Sequence, residues 1–159
     1  MRGWAAASRD RPDAPALVLA GGAGWDTGLD AALAEVPAEL TVVRPGYLPV
    51  DDLAGLLGGA EVVAYPSLGE GFGLPVLEAM ACGVAVLTTR RLALPEVGGD
   101  AVAYSEPDAR SIGTALGELL DDAARRKALA AAAVERAAGF TWDACAAAHI
   151  AAYEKAANR

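Results

Sequence analysis

The sequence predicts an α/β fold, a doubly wound parallel sheet with helices on both faces. Two observations carry this. Short apolar runs at 16–20, 40–43, 61–65 and 84–87 show no polar alternation, as expected of strands buried on both sides. Helical stretches separate these runs, and Gly21, Pro45 and Pro66 punctuate the ends of the first three. With 159 residues, 54% of them hydrophobic, the chain is long enough to bury a core and is read as one domain over 1–159.

Each element follows in order. From Met1 to Pro15 the chain reads as the end of a helix and then a polar turn, Asp10-Arg11-Pro12-Asp13-Ala14-Pro15. Ala16-Leu17-Val18-Leu19-Ala20 is a strand that stops at Gly21-Gly22. Asp26 or Thr27 caps a helix reaching about Glu35, and Leu40-Thr41-Val42-Val43 is a strand closed by the turn Arg44-Pro45-Gly46. Residues 51–57 read as a short helix, with Asp51 and Asp52 at the end where the helix dipole favours acidic groups. A strand at 61–65, a glycine-rich loop, a helix over 75–82 and a strand over 84–87 come next. Ala101-Val102-Ala103-Tyr104 is a weaker strand. Asp108 then caps a helix carrying Ile112, Leu116, Leu119 and Leu120 at helical spacing. Alanine-rich helices fill 122–138 and 142–156, the second with Thr141 as its N-cap.

A net charge of −8 without a basic stripe argues against nucleic acid and anionic membrane as partners. Any phosphate bound here must be met by backbone amides and a few local cations. Cys82 and Cys145 share no metal-like spacing with the single histidine, His149, so the reading is two buried free thiols and no metal site. No apolar run approaches the ~18 residues of a membrane span and no signal-peptide core opens the chain, which makes a cytoplasmic setting the default.

The densest chemistry lies in Pro66-Ser67-Leu68-Gly69-Glu70-Gly71-Phe72-Gly73-Leu74-Pro75-Val76-Leu77-Glu78. In parallel sheets ligands bind where strands end and loops enter helices. Here Pro75 suits a first helical turn, and Gly71 and Gly73 let the backbone approach a ligand. The amides of Phe72, Gly73 and Leu74 then face outward at a helix's positive end, which suits a diphosphate. Glu78 sits among apolar and small neighbours, where a charge needs solvent or a partner. Other readings are weaker. Gly22-Ala23-Gly24 lacks the third glycine of a dinucleotide fingerprint. A glycosidase pair is disfavoured because Glu70 and Glu78 on one helix lie about 12 Å apart, beyond the ~5–9.5 Å such pairs use.

The block resembles the E-x7-E signature of retaining glycosyltransferases of the GT-B class, the group often called family 4, and specifically their Rossmann-like C-terminal, donor-binding half. The resemblance covers roughly 16–156. It implies that Glu70 contacts the donor sugar at the catalytic centre and that Gly71, Phe72, Gly73 and Leu74 hold sugar and diphosphate. It further implies that Glu78 binds ribose hydroxyls and that Gly46-Tyr47-Leu48 receives the base, although Tyr47 reads equally well as packing beside Pro45 and Pro49. Leu94 to Pro107 resembles the family's usual continuation. No cofactor or metal is implied beyond a nucleoside-diphosphate sugar. The glycine loop ending in Trp25 leans towards mannosyltransferase-like relatives and GDP-mannose, with UDP-sugars left open. Two departures matter. The opening strand with a Gly-Arg…Lys-Gly segment has no match before Ala16, since Arg2, Arg9 and Arg11 stand in no such context. The acceptor-binding N-terminal domain is missing, to be supplied in cis or in trans, with helix 142–156 a candidate contact. Loss of two cations beside a diphosphate costs about 1.5–3 kcal/mol each, so weak binding and little turnover are expected of this chain alone. The alternative is a non-catalytic nucleotide-sugar-binding fragment or subunit that acts only with a partner chain.

Overall fold

The structure, a computed structural model, describes residues 1–22 and 28–158. The cap expected at Asp26 or Thr27 and the glycine loop ending in Trp25 lie outside the described residues. The elements in chain order are α1 (Arg2–Ser8), β1 (Leu17–Ala20), α2 (Leu29–Ala34), β2 (Val42–Gly46), α3 (Val50–Gly58), β3 (Val63–Ala64), α4 (Leu74–Ala81), β4 (Val86–Thr89), α5 (Leu94–Gly98), β5 (Ala103–Ser105), α6 (Ala109–Asp121), α7 (Ala123–Ala137) and α8 (Trp142–Ala157). Asp108 caps α6 through bonds from the amides of Arg110 and Ser111, and Thr141 caps α8 through the amide of Ala144, both as the sequence predicts.

Every strand pair is parallel. Leu17 lies opposite Val42 in β1–β2, Val63 opposite Val86 in β3–β4, and Leu87 opposite Ala103 in β4–β5. The expected single sheet is nevertheless split into β1–β2 and β3–β4–β5, because β1 and β3 do not pair with each other. There are three local differences. β2 runs on through Pro45, which falls where the β1–β2 register shifts between Val18 and Ala20, and an irregularity of this kind tolerates a residue without an N–H. β3 is confined to Val63–Ala64, although the Tyr65 amide still bonds the Leu87 carbonyl of β4 at 2.8 Å. β5 starts at Ala103 because the Ala101 amide bonds the Gly98 carbonyl at 3.0 Å, so Ala101 closes the turn after the unforeseen α5.

β4 is the structural axis, with all four residues buried. Its side chains alternate between two cores. Val86 packs among Val76, Met80, Leu94, Val97 and Ala133, which come from α4, α5 and α7. Leu87 packs on the opposite face with Trp4, Ala103, Leu116 and Leu119, from α1, β5 and α6. This is the doubly wound arrangement, and Met80 is core as its apolar neighbours indicate. Helices α1 and α6 approach closely at Gly3 and Gly113. A Cβ on Gly3 would sit 2.8 Å from the Ala109 carbonyl oxygen. Gly3→Val is therefore expected to lower stability by about 1–3 kcal/mol, read as a fall in the urea midpoint with an unchanged slope.

Helix α8 buries none of its residues, and Trp142 on it is 89% exposed. The thiols depart from expectation for this reason: Cys145 on α8 is exposed, and Cys82 after α4 is only half-buried.

Candidate functional site

The glycine loop joins the end of β3 to α4, and Gly73 decides its shape. Gly73 is the N-cap residue of α4 with φ +102°, a left-handed conformation. A Cβ there would also meet Leu94 Cδ2 at 2.7 Å, so glycine is required both by dihedral and by space. No side chain caps α4. The Gly73 carbonyl accepts from the Val76 and Leu77 amides at 3.0 and 3.2 Å, and Pro75 has no N–H to satisfy. Among the described residues the amides of Phe72, Gly73 and Leu74 have no protein acceptor, at the positive end of α4. The helix opens at Leu74, one residue earlier than expected.

Glu70 is held in the same loop. Tyr65 Oη and Ser67 Oγ each donate to Glu70 Oε1 at 2.8 Å. The Tyr65 hydroxyl first, and then that of Ser67, holds the carboxyl below the usual glutamate range. The loop carrying these groups is itself tied to β4. Thr88 Oγ1 donates to the Tyr65 carbonyl at 2.9 Å, and Thr89 Oγ1 to the Ser67 carbonyl at 2.7 Å. Both threonines are fully buried. Sequence reasoning missed these four residues as site supports; the available signal was a Thr-Thr pair ending an otherwise apolar buried strand. The sign of the pH effect follows from the lowered value. The stabilisation from Glu70's contacts is fully present above the ordinary glutamate value of 4.5 and is lost as pH falls below it through the folded value. A Tyr65→Phe, Ser67→Ala double variant is expected to return the Glu70 carboxyl upward towards its ordinary value, read by carboxyl NMR titration.

Glu78 lies on α4 about one turn after Leu74, the last of these amides, and is exposed. Of the solvent or partner that its charge needs, solvent is what the structure supplies: α4 turns Val76, Ala79 and Met80 inward and leaves Glu78 exposed. Among the described residues it makes no ion pair or side-chain hydrogen bond. With Pro66 and Pro75 it lines a cleft of about 1140 Å³. Glu70 and residues 71–74 do not line this cleft; they connect β3 to α4, on which Glu78 stands. Gly46, Tyr47 and Leu48 stand apart from the cleft, at the end of the outer strand β2. Gly46 has φ +77°, and Tyr47 is 81% exposed, which removes the reading of Tyr47 as packing between prolines. Phe72, on the loop, meets Phe140 edge to face at 6.0 Å. Arg90 stacks over Tyr104 at 4.0 Å and Arg91 pairs with Glu106 at 3.4 Å.

An α/β domain with free amides at a helix start and carboxylates on both sides matches many sugar and nucleotide sites, and comparison decides among them. Residues 5–136 match the family described as Glycosyl transferases group 1. The chain belongs to that family. It is similar to O-antigen chain mannosyltransferase B of Escherichia coli, 38% identical over 140 residues, covering 87% of this chain and 37% of that protein. It is also similar to the MMP alpha-(1->4)-mannosyltransferase of Mycolicibacterium hassiacum, 41% identical over 132 residues, covering 80% of this chain and 32% of that protein. This chain therefore spans about a third of the length of these relatives. Among solved structures, sucrose-phosphate synthase from Thermosynechococcus elongatus superposes with a TM-score of 0.79 at 24% identity, over 97% of this chain and 41% of that one. WaaG, a glycosyltransferase involved in lipopolysaccharide biosynthesis, gives 0.73 at 20% identity, over 87% of this chain and 38% of that one. These likenesses establish the fold, the Rossmann-like half of a GT-B glycosyltransferase. No described helix is long and apolar enough to cross a membrane.

Proposed function

We propose that this chain is the donor-binding part of a retaining hexosyltransferase that uses a nucleoside-diphosphate sugar, GDP-mannose in the first instance. The observation that carries the reading is the set of free amides at Phe72, Gly73 and Leu74, with Glu70 anchored on one side and Glu78 unpaired on the other. The amides and the helix end favour negative charge, which grows on the diphosphate as it leaves the sugar, so the same contacts stabilise the transition state more than the bound donor. Glu70, fixed by two hydroxyl donors, accepts hydrogen bonds from sugar hydroxyls and orients the anomeric carbon; it is a positioning carboxylate and not a nucleophile. Glu78 accepts from ribose hydroxyls, and Gly46-Tyr47-Leu48 meets the base with backbone groups and an exposed ring. The preference for mannose is supported by the names of two relatives, both mannosyltransferases.

The acceptor hydroxyl and the rest of the active site belong to the length of the relatives that this chain does not span. The chain alone is expected to bind donor weakly and to turn over little. A calorimetric panel of GDP, UDP and ADP with their sugars tests the reading. Binding confined to one nucleotide, and weakened at least tenfold by Glu78→Ala, is the expected result. Tenfold corresponds to about 1.4 kcal/mol, in the range of a hydrogen bond to a charged group. Equal binding by Glu78→Ala would remove the ribose assignment.

A further inference from the structure

The loop between β3 and α4 is secured by hydrogen bonds at both ends and not in its middle. At its start the hydroxyls of Thr88 and Thr89 hold the Tyr65 and Ser67 carbonyls, and the hydroxyls of Tyr65 and Ser67 hold Glu70. At its end the Gly73 carbonyl takes the Val76 and Leu77 amides. Among the described residues, the backbone of Gly71 and of Phe72 makes no hydrogen bond. A Cβ on Gly71 would meet nothing within 4 Å, so that residue stands in open space. Phe72 nevertheless carries one of the three free amides. Its side chain supplies the restraint: the ring stands edge to face on Phe140, with centroids 6.0 Å apart and planes at 82°.

Phe140 is in turn a fixed point. It lies in the tight turn between α7 and α8, where the Gly139 amide bonds the Arg136 carbonyl at 3.1 Å and the Phe140 amide bonds the Ala137 carbonyl at 3.0 Å. Arg136 stands behind the ring, its guanidinium carbon 5.8 Å from the Phe140 centroid. That guanidinium is itself held, because it donates to the Val97 carbonyl at 2.6 Å and to the Glu96 carbonyl at 2.5 Å, on α5. Gly99 makes room for it: a Cβ there would stand 2.6 Å from Arg136 Cζ. Helix α5 reaches the loop by a second route, since Leu94 fills the space beside Gly73. Phe72 is thus braced through Phe140 and Gly73 through α5, and Arg136 touches both braces.

We infer that Phe140 is a positioning residue for the donor loop: its ring holds Phe72 so that the Phe72 amide stays with those of Gly73 and Leu74 at the start of α4. Phe72 keeps 42% of its surface exposed, so the pair buries little, and its contribution is to the order of the loop more than to folding. A restrained amide meets an anion without an ordering cost at the moment of binding, and a mobile one does not. Aromatic pairs of this geometry shift an equilibrium by about two- to tenfold. That the anion is a diphosphate rests on the donor-site reading; the restraint on the loop does not.

The test compares 15N relaxation of the unmodified chain with that of Phe140→Ala and Phe140→Leu, all without ligand. In Phe140→Ala the order parameter of the Phe72 amide is expected to fall from that of rigid backbone, about 0.85, towards about 0.6. Those of Ala79 and Met80 inside α4 are expected to stay unchanged. Phe140→Leu keeps an apolar side chain and loses the ring edge; it is expected to act in the same direction and serves if the alanine variant fails to fold. An unchanged Phe72 amide in a folded variant, or equal loosening along α4, overturns the proposal. Titration with GDP adds a binding readout. Phe140→Ala is expected to weaken binding about two- to tenfold, and to add no further loss in a Phe72→Ala background. Additive losses would show that Phe140 does not act through Phe72 and would overturn the proposal. If the unmodified chain binds no GDP, the donor-site reading fails, and the relaxation comparison still decides this one.

Discussion

Gly73→Val is expected to abolish nucleoside-diphosphate binding and to destabilise the domain. The backbone at this position has φ +102°, where a β-branched side chain costs about 1–3 kcal/mol in strain. The added Cβ would stand 2.7 Å from Leu94 Cδ2, and Leu94 is fully buried, so it has little room to withdraw; overpacking of this kind costs a further 1–3 kcal/mol or so. Relief comes from turning the loop, which moves the amides of Phe72, Gly73 and Leu74 off their common point. Calorimetry on the fraction still folded separates the two effects. Retained binding with the expected loss of stability would show that these amides are not the phosphate site.

Leu87→Ala is expected to be the most damaging core substitution that leaves the donor loop's own residues intact. Leu87 is completely buried on the central strand and joins Trp4, Leu116 and Leu119 in one cluster. Truncation of such a leucine costs about 2–5 kcal/mol, the larger values where the surroundings do not collapse into the space. β4 is clamped by β3 and β5, which resists collapse. Since small domains hold only about 5–15 kcal/mol in total, the variant is expected to show a large fraction unfolded in a denaturant series before the parent begins its transition. A loss below about 1 kcal/mol would mean that the opposite core, around Met80 and Val86, carries the fold unaided.

Much of this was legible in the residues, and the reasons are specific. Unalternating runs marked β1, β3 and β4 because strands covered on both faces need apolar side chains at every position. Asp108 and Thr141 marked helix starts because their oxygens meet free amides, and the structure shows those bonds. The turn at Gly73 that opens α4 was legible because a left-handed backbone favours glycine. What was not legible depends on long-range geometry. Nothing local to Thr88 and Thr89 says that their hydroxyls reach back to the Tyr65 and Ser67 carbonyls, more than twenty positions earlier in the chain. The outward turn of Glu78 depends on which face of α4 meets β4. The split between β1 and β3 is a property of the order of strands in space, and strand order leaves no trace in the composition of either strand. Cys145 was misread because residue type predicts burial only where a helix has something to pack against.

In the proposed function, three backbone amides at the start of α4 hold the nucleoside diphosphate. The most direct measurement is a 15N-resolved NMR titration of this chain with GDP and GDP-mannose. Saturable shifts are expected to concentrate at the amides of Phe72, Gly73 and Leu74 and to diminish in Glu78→Ala. Shifts centred elsewhere, with those three amides unmoved at saturation, would contradict it.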